Sequence, residues 1–206
     1  MLNENIIIEN LGFQTIKNAV KSAIRVVDDY RKGKKTVLCT NWPRLNRQLL
    51  GGLQPKKLYV IAGRPGSGKS MFVNNMIFDI LNCNQEKNII VLYWNFEMSA
   101  WQQILRAASG DTNIGYAEAL SVDENLEDSK FFHLVKKMKN YEDYPVYFCD
   151  LPKSLNDFAK IVAKIAEDNP EATIINIIDH SRLYKPSNER SELDRLNLLS
   201  SILMRL

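Results

Sequence analysis

The chain has 206 residues, 45% hydrophobic and 25% charged. That length suits one domain with a large core, and the balance sets aside disordered, collagen-like and coiled-coil classes. No apolar run reaches the roughly 18–20 residues of a membrane-spanning helix. The net charge of +3 divides unevenly: residues 1–70 hold 13 Lys/Arg against 4 Asp/Glu (+9), and residues 71–206 hold 14 against 20 (−6).

The opening MLNENIIIEN has neither a basic leader nor a small-residue cleavage site. Cys39, Cys83 and Cys149 are an odd number at wide spacing, which fits neither a disulfide framework nor a zinc site. The expectation is a reducing, cytoplasmic setting, with the cysteines as core residues. Phe13, Ile16, Val20, Ala23, Ile24, Val27 and Tyr30 recur at helical spacing, predicting an amphipathic helix over 13–31 that ends near Gly33. The basic excess is densest from Lys21 to Lys35. It reads either as a segment that attracts nucleic-acid phosphates or as a solvated helix face. Residues 36–57, punctuated by Pro43, Gly51, Gly52 and Pro55, form an irregular approach.

From there strands and helices alternate. Buried strands are predicted at 58–62 (LYVIA), 88–94 (NIIVLYW), 145–150 (PVYFCD) and 173–179 (TIINIID). Helices are predicted over 69–82, 99–109, 129–140, 154–168 and 188–206, with a polar, acidic, loop-rich stretch at 110–128. Ser154 is placed as an N-cap with Asp157 at N3. The fold class is α/β: a mostly parallel sheet flanked by helices on both faces.

Gly63-Arg64-Pro65-Gly66-Ser67-Gly68-Lys69-Ser70 matches G-x-x-x-x-G-K-[ST] in full. The glycines let backbone N–H groups turn inward on a phosphate, and the helix that follows adds its positive end. In such a loop Lys69 reaches the β- and γ-phosphates of ATP and the Ser70 hydroxyl ligates Mg²⁺. The second metal-side acid is expected at the end of a buried strand. Asp179 fits, and Asp150 competes for the role. Glu97, just after the 88–94 strand, is either the base that activates water or a solvated glutamate. Arg106 is placed either near the nucleotide or on the surface. His180 is either a γ-phosphate contact or structural, and His133 is a helix residue with no partner motif.

Several segments together resemble one family. They are Thr40-Asn41-Trp42-Pro43-Arg44-Leu45-Asn46, Leu50-Gly51-Gly52-Leu53, the run Leu58–Ser70, Asn95-Phe96-Glu97-Met98-Ser99 and Ile177-Ile178-Asp179-His180-Ser181-Arg182-Leu183. The pattern resembles the C-terminal RecA-like motor domain of DnaB-type replicative helicases. It departs from that family at Asn41-Trp42 (usually Gly-Phe) and at His180 (usually Tyr).

The resemblance implies a RecA-like ATPase core over 36–206, after a linker-type helix and basic turn over 1–35. It makes Lys69 and Ser70 the phosphate and Mg²⁺ ligands, Asp179 the second metal acid and Glu97 the catalytic base. The implied activity is ATP-driven translocation along single-stranded DNA and unwinding. The implied assembly is a ring, a hexamer in the full-length family, with primase or a loader as further partners and no membrane. In the family, the DNA-binding loops and an arginine finger follow the helix that corresponds to 188–206. The expectation for this chain is therefore slow or partner-dependent turnover. The alternative is a nucleotide-dependent replication or recombination regulator on the same fold. A small-molecule kinase is disfavoured because no Arg-rich lid is present.

Overall fold

The computed structural model describes residues 14–34, 37–95, 97–123, 125–151 and 154–179. The chain divides into two compact units, 1–37 and 38–206.

In the first unit, helix α1 spans Ile16–Arg31. It begins three residues later than the apolar spacing suggests, because Thr15 is the cap. The Thr15 hydroxyl accepts the Asn18 N–H at 3.3 Å, satisfying one first-turn donor. The helix closes at Lys32 and Gly33, the latter at φ 64°. Asp28 pairs with Arg31 at 2.8 Å and with Lys32 at 2.5 Å. Ile16, Ile24 and Val27 are exposed along the stripe.

The second unit runs α2 (Pro43–Gln48), α3 (Lys69–Cys83), β1 (Ile89–Asn95), α4 (Ala100–Thr112), α5 (Tyr116–Ala119), α6 (Asp128–Lys139), β2 (Val146–Cys149), α7 (Leu155–Asp168) and β3 (Thr173–Asp179). The strands form a parallel sheet in the order β2-β1-β3. Strand β1 is central, and its near-continuous apolar run is what a strand covered on both faces requires. Side chains alternate between the faces. Ile89, Val91 and Tyr93, with Ile175 and Ile177 of β3, pack against Ile77, Ile80 and Leu81 of α3. Leu92 and Trp94 face the other way, onto Phe158 and Val162 of α7. Parallel register and helices on both faces bear out the expected class. A third cluster joins Leu105 and Ala108 of α4 to Leu134 of α6, Ile114 and Tyr141.

The predicted strand at 58–62 is not part of this sheet. Residues 57–64 carry no regular hydrogen-bonded structure, and Val60 is 81% exposed. The physical reason is the supply of edges. β1 is paired on both sides, and among the described residues no strand offers LYVIA a ladder.

Elsewhere the departures are small. The 36–57 approach contains the short helix α2 and an antiparallel bridge between Leu38 and Leu53. Gly52 permits that bridge: at φ 146°, an added Cβ would meet the Leu38 carbonyl oxygen closer than atoms can approach. The 110–128 stretch includes α5 and the buried Ile114. The predicted helix over 188–206 lies outside the described residues. The cysteines, expected in the core, are not buried: Cys83 is exposed, and Cys39 and Cys149 are intermediate. Among the described residues no helix is long and apolar enough to cross a membrane.

Candidate nucleotide site

The glycine loop heads α3 and is shaped locally. Gly66 sits at φ 76° and Gly68, the N-cap of α3, at φ 87°, both in the left-handed region where glycine is unstrained. The Ser67 N–H donates to the Arg64 carbonyl at 3.1 Å, and the Lys69 ammonium donates to the same oxygen at 3.2 Å. The first regular helical bond of α3 follows, from Phe72 N–H to Gly68 C=O at 2.8 Å. The N–H groups before it have no intrahelical acceptor and, with the helix dipole, favour an anion. At Gly63 an added Cβ would lie 2.6 Å from Ser67 Oγ, so a side chain there would crowd the loop.

The segment upstream is latched to the same helix. Asn46 Oδ1 accepts the Thr40 N–H at 3.0 Å and the Thr40 hydroxyl at 2.9 Å, and Asn46 Nδ2 returns a bond to Thr40 C=O at 2.7 Å. Trp42 then stacks on Phe72, the ring centroids 4.9 Å apart and 14° from coplanar. At the far end of α3, Asn84 accepts from Cys39 N–H at 3.1 Å and donates to Cys39 C=O at 2.9 Å.

A buried polar cluster ties the head of α3 to the carboxyl edge of the sheet, where ligands bind in parallel α/β folds. Asn74 on α3 donates to Gln103 on α4 at 2.5 Å, with Asn74 3% and Gln103 1% exposed. Gln103 and Asp179 are both polar neighbours of the Tyr93 hydroxyl. Burial first, and then the Asp179 carboxylate, push the Tyr93 phenol upward from its ordinary value, while Gln103 opposes them. That hydroxyl is buried without a hydrogen-bond partner of ordinary geometry among the described residues.

Asp179 ends β3 directly opposite Asn95. By strand alternation it shares the α3-facing side with Ile175 and Ile177. Glu97 follows β1 and is exposed. Its N–H donates to Asn95 Oδ1 at 3.1 Å, and Met98 N–H donates to the same oxygen at 3.0 Å. Ser99 then opens α4, its N–H donating to Gln102 Oε1 at 2.9 Å.

The structure thus gathers Glu97 and Asp179 at one sheet edge and joins that edge to the head of α3. It separates the remaining candidates. Asp150, just past β2, is exposed and outside the polar cluster. Arg106 lies over the Tyr116 ring, 4.8 Å from its centroid, with its Nε buried and unpartnered among the described residues; no contact among them brings it to the loop. His133 is exposed on α6, and His180 lies outside the described residues. Sequence reasoning missed Asn95, Tyr93, Gln103 and Asn74. The one available signal was the asparagine ending the otherwise apolar run IIVLYW.

No group of three His, Cys, Asp or Glu that could hold a metal by itself occurs among the described residues. A hydroxyl at Ser70 and a carboxylate at Asp179 instead suit Mg²⁺, which takes one or two protein oxygens and completes its shell with phosphate and water.

A parallel sheet layered between helices, with a glycine loop heading α3 and carboxylates at the carboxyl edge, defines a RecA-like P-loop nucleotide-binding domain. More narrowly, the chain belongs to the DnaB-like helicase C-terminal domain family, which it matches over residues 38–206. It is 27% identical over 187 residues to the replicative DNA helicase DnaB of Helicobacter pylori strain J99, a match covering 88% of this chain and 37% of that protein. The chain therefore spans well under half the length of that relative. Two solved structures share the fold. A solved helicase-type ATPase domain superposes with a TM-score of 0.76 at 17% identity, over 94% of this chain and 66% of that one. A DnaB-like replicative helicase described with its interactions with primase gives 0.75 at 18%, over 94% and 45%.

Proposed function

We propose that this chain is the ATP-hydrolysing motor part of a replicative DNA helicase, working on single-stranded DNA as a ring of copies in the cytoplasm. The observation that carries the proposal is the loop itself. Gly66 and Gly68 hold left-handed conformations at the head of α3, and Lys69 is folded onto the same turn. In this reading the loop N–H groups and the Lys69 ammonium bind the β- and γ-phosphates of ATP. Arg64, Pro65 and Ser67 shape the turn, and Gly63 leaves it room. Ser70 and Asp179 are the residues that would hold Mg²⁺, which when bound supplies neutralising charge to the phosphates. Glu97 takes the proton from the attacking water and so raises its nucleophilicity. Arg106 is a further nucleotide contact of this reading, reached from α4. Primase or a loader is the partner class proposed for the assembled protein.

The test is ATP turnover with and without single-stranded DNA, on the chain and on two variants. Lys69→Ala should lose nucleotide binding by about 100-fold, the scale of a lost strong electrostatic contact. Glu97→Gln should keep nucleotide affinity and lose turnover. Equal loss of binding in both variants would remove Glu97 from the role of base. Nucleotide binding with no turnover, on or off DNA, would favour the regulator reading instead.

A further inference from the structure

The end of β1 carries a polar residue where packing calls for an apolar one. Asn95 is 1% exposed and follows six residues of the apolar run IIVLYW. Its Oδ1 accepts two backbone N–H groups, Glu97 at 3.1 Å and Met98 at 3.0 Å. Its Nδ2 is buried and makes no hydrogen bond with the described residues. Burying an amide donor without an acceptor is destabilising, so stability alone does not account for this side chain. What it supplies is a rigid link. The strand it ends is the central one, held by β2 and β3, and its in-register partner on β3 is Asp179. In parallel strands such partners point to the same face, so the Asn95 amide lies beside the Asp179 position while its oxygen grips the turn that bears Glu97.

We propose that Asn95 is a positioning residue for Glu97: its Oδ1 fixes the Glu97–Met98 turn to the end of β1, setting the carboxylate's distance from the Asp179 edge. The proposal rests on the reading of Glu97 as the base. Glu97 is exposed, so packing around its own side chain is sparse and the backbone anchor must carry the precision. Displacing a reacting group by about 1 Å costs on the order of 100-fold in rate.

The experiment uses the full chain with ATP and single-stranded DNA. Asn95→Leu removes the acceptor at similar volume and should lower kcat by about 10–100-fold while leaving nucleotide affinity within about threefold. Asn95→Ser, whose shorter side chain can accept the same turn N–H groups, should recover most of the loss. In a Glu97→Gln background, Asn95→Leu should produce no further fall, since the group it positions is already gone. Should Asn95→Leu fail to fold, Asn95→Ala read on the same axes carries the test.

Three results would overturn the proposal. They are an unchanged kcat, an equal fall in nucleotide affinity, or the same fold-loss with and without Glu97. If Glu97→Gln itself keeps full turnover, the base assignment fails and Asn95 falls with it. Normal loss in Glu97→Gln beside an unaffected Asn95→Leu sinks the Asn95 role alone.

Discussion

Two apolar runs of similar composition have opposite fates in this chain. In β1, IIVLYW is hydrogen-bonded on both edges and covered on both faces, and Val91 is wholly buried. At 58–62, LYVIA lies outside the sheet, with Val60 81% exposed. Local preference does not separate them, since both are rich in β-branched and aromatic residues. The difference is a partner. A strand's backbone groups need a ladder, and β1 has two while 58–62 has none among the described residues. The segment that leads into the phosphate loop is therefore held by short-range bonds at its ends. The Gln54 N–H donates to the Tyr59 hydroxyl at 2.8 Å, and Lys69 donates to Arg64 C=O. The carboxylate edge, by contrast, is built on the packed sheet.

The largest expected effect tests that contrast directly. Phe158, fully buried and edge-on to Trp94 at 4.8 Å, should cost about 3–5 kcal/mol when changed to Ala. Val60→Ala should stay within about 0.5 kcal/mol. Urea unfolding of both variants measures the pair. A loss above about 1.5 kcal/mol at Val60, the lower end for a buried valine, would mean that 58–62 is packed in solution and would erase the distinction.

The same contrast governs what could be read from the sequence. The three strands of the sheet were legible to within a residue or two because they are apolar and bounded by turn residues. The phosphate loop was legible because its chemistry is local: eight consecutive residues carry it. The unpaired fate of 58–62 was not, since a ladder depends on which strands lie alongside. The Asn74–Gln103 bond, spanning 29 positions, and the convergence of Gln103 and Asp179 on Tyr93 are invisible for the same reason. Asn95 was quoted within a motif, yet its role depends on a turn geometry that composition does not reveal. Arg106 shows the reverse case, where proximity in sequence to Glu97 suggested the nucleotide and the fold placed the guanidinium on Tyr116.

A middle-sized effect probes a boundary that was legible. Ser154 caps α7, its Oγ accepting the Asp157 N–H at 3.1 Å and donating to Asp157 Oδ2 at 2.7 Å. Ser154→Ala should destabilise by about 1 kcal/mol. Because α7 covers the face of the sheet opposite α3, nucleotide affinity should not change. A fall in affinity comparable to that of Lys69→Ala would show that the two faces are coupled.

The smallest effect concerns charge rather than packing, on the helix that carries the loop. Asp79 of α3 has its carboxyl raised above the usual value of 3.8, by burial first and by the Asp111 carboxylate second. Asp111 is already engaged, accepting from the Tyr141 hydroxyl at 2.8 Å and pairing with Lys137 at 2.6 Å, so its cation does little for Asp79. A carboxyl with a raised folded-state pKa keeps its proton in the native state after the unfolded chain has lost it. Stability at this site is therefore best at acid pH and declines as pH rises above 3.8. Asp79→Asn removes the charge and should raise Tm at pH 7. The gain should shrink as pH falls toward 3.8, where the wild-type carboxyl is protonated as well. Thermal melts of the two proteins between pH 4 and 7 measure it. A gain that does not vary with pH would mean that the substitution acts through packing, and that charge on α3 is as well accommodated as its apolar face.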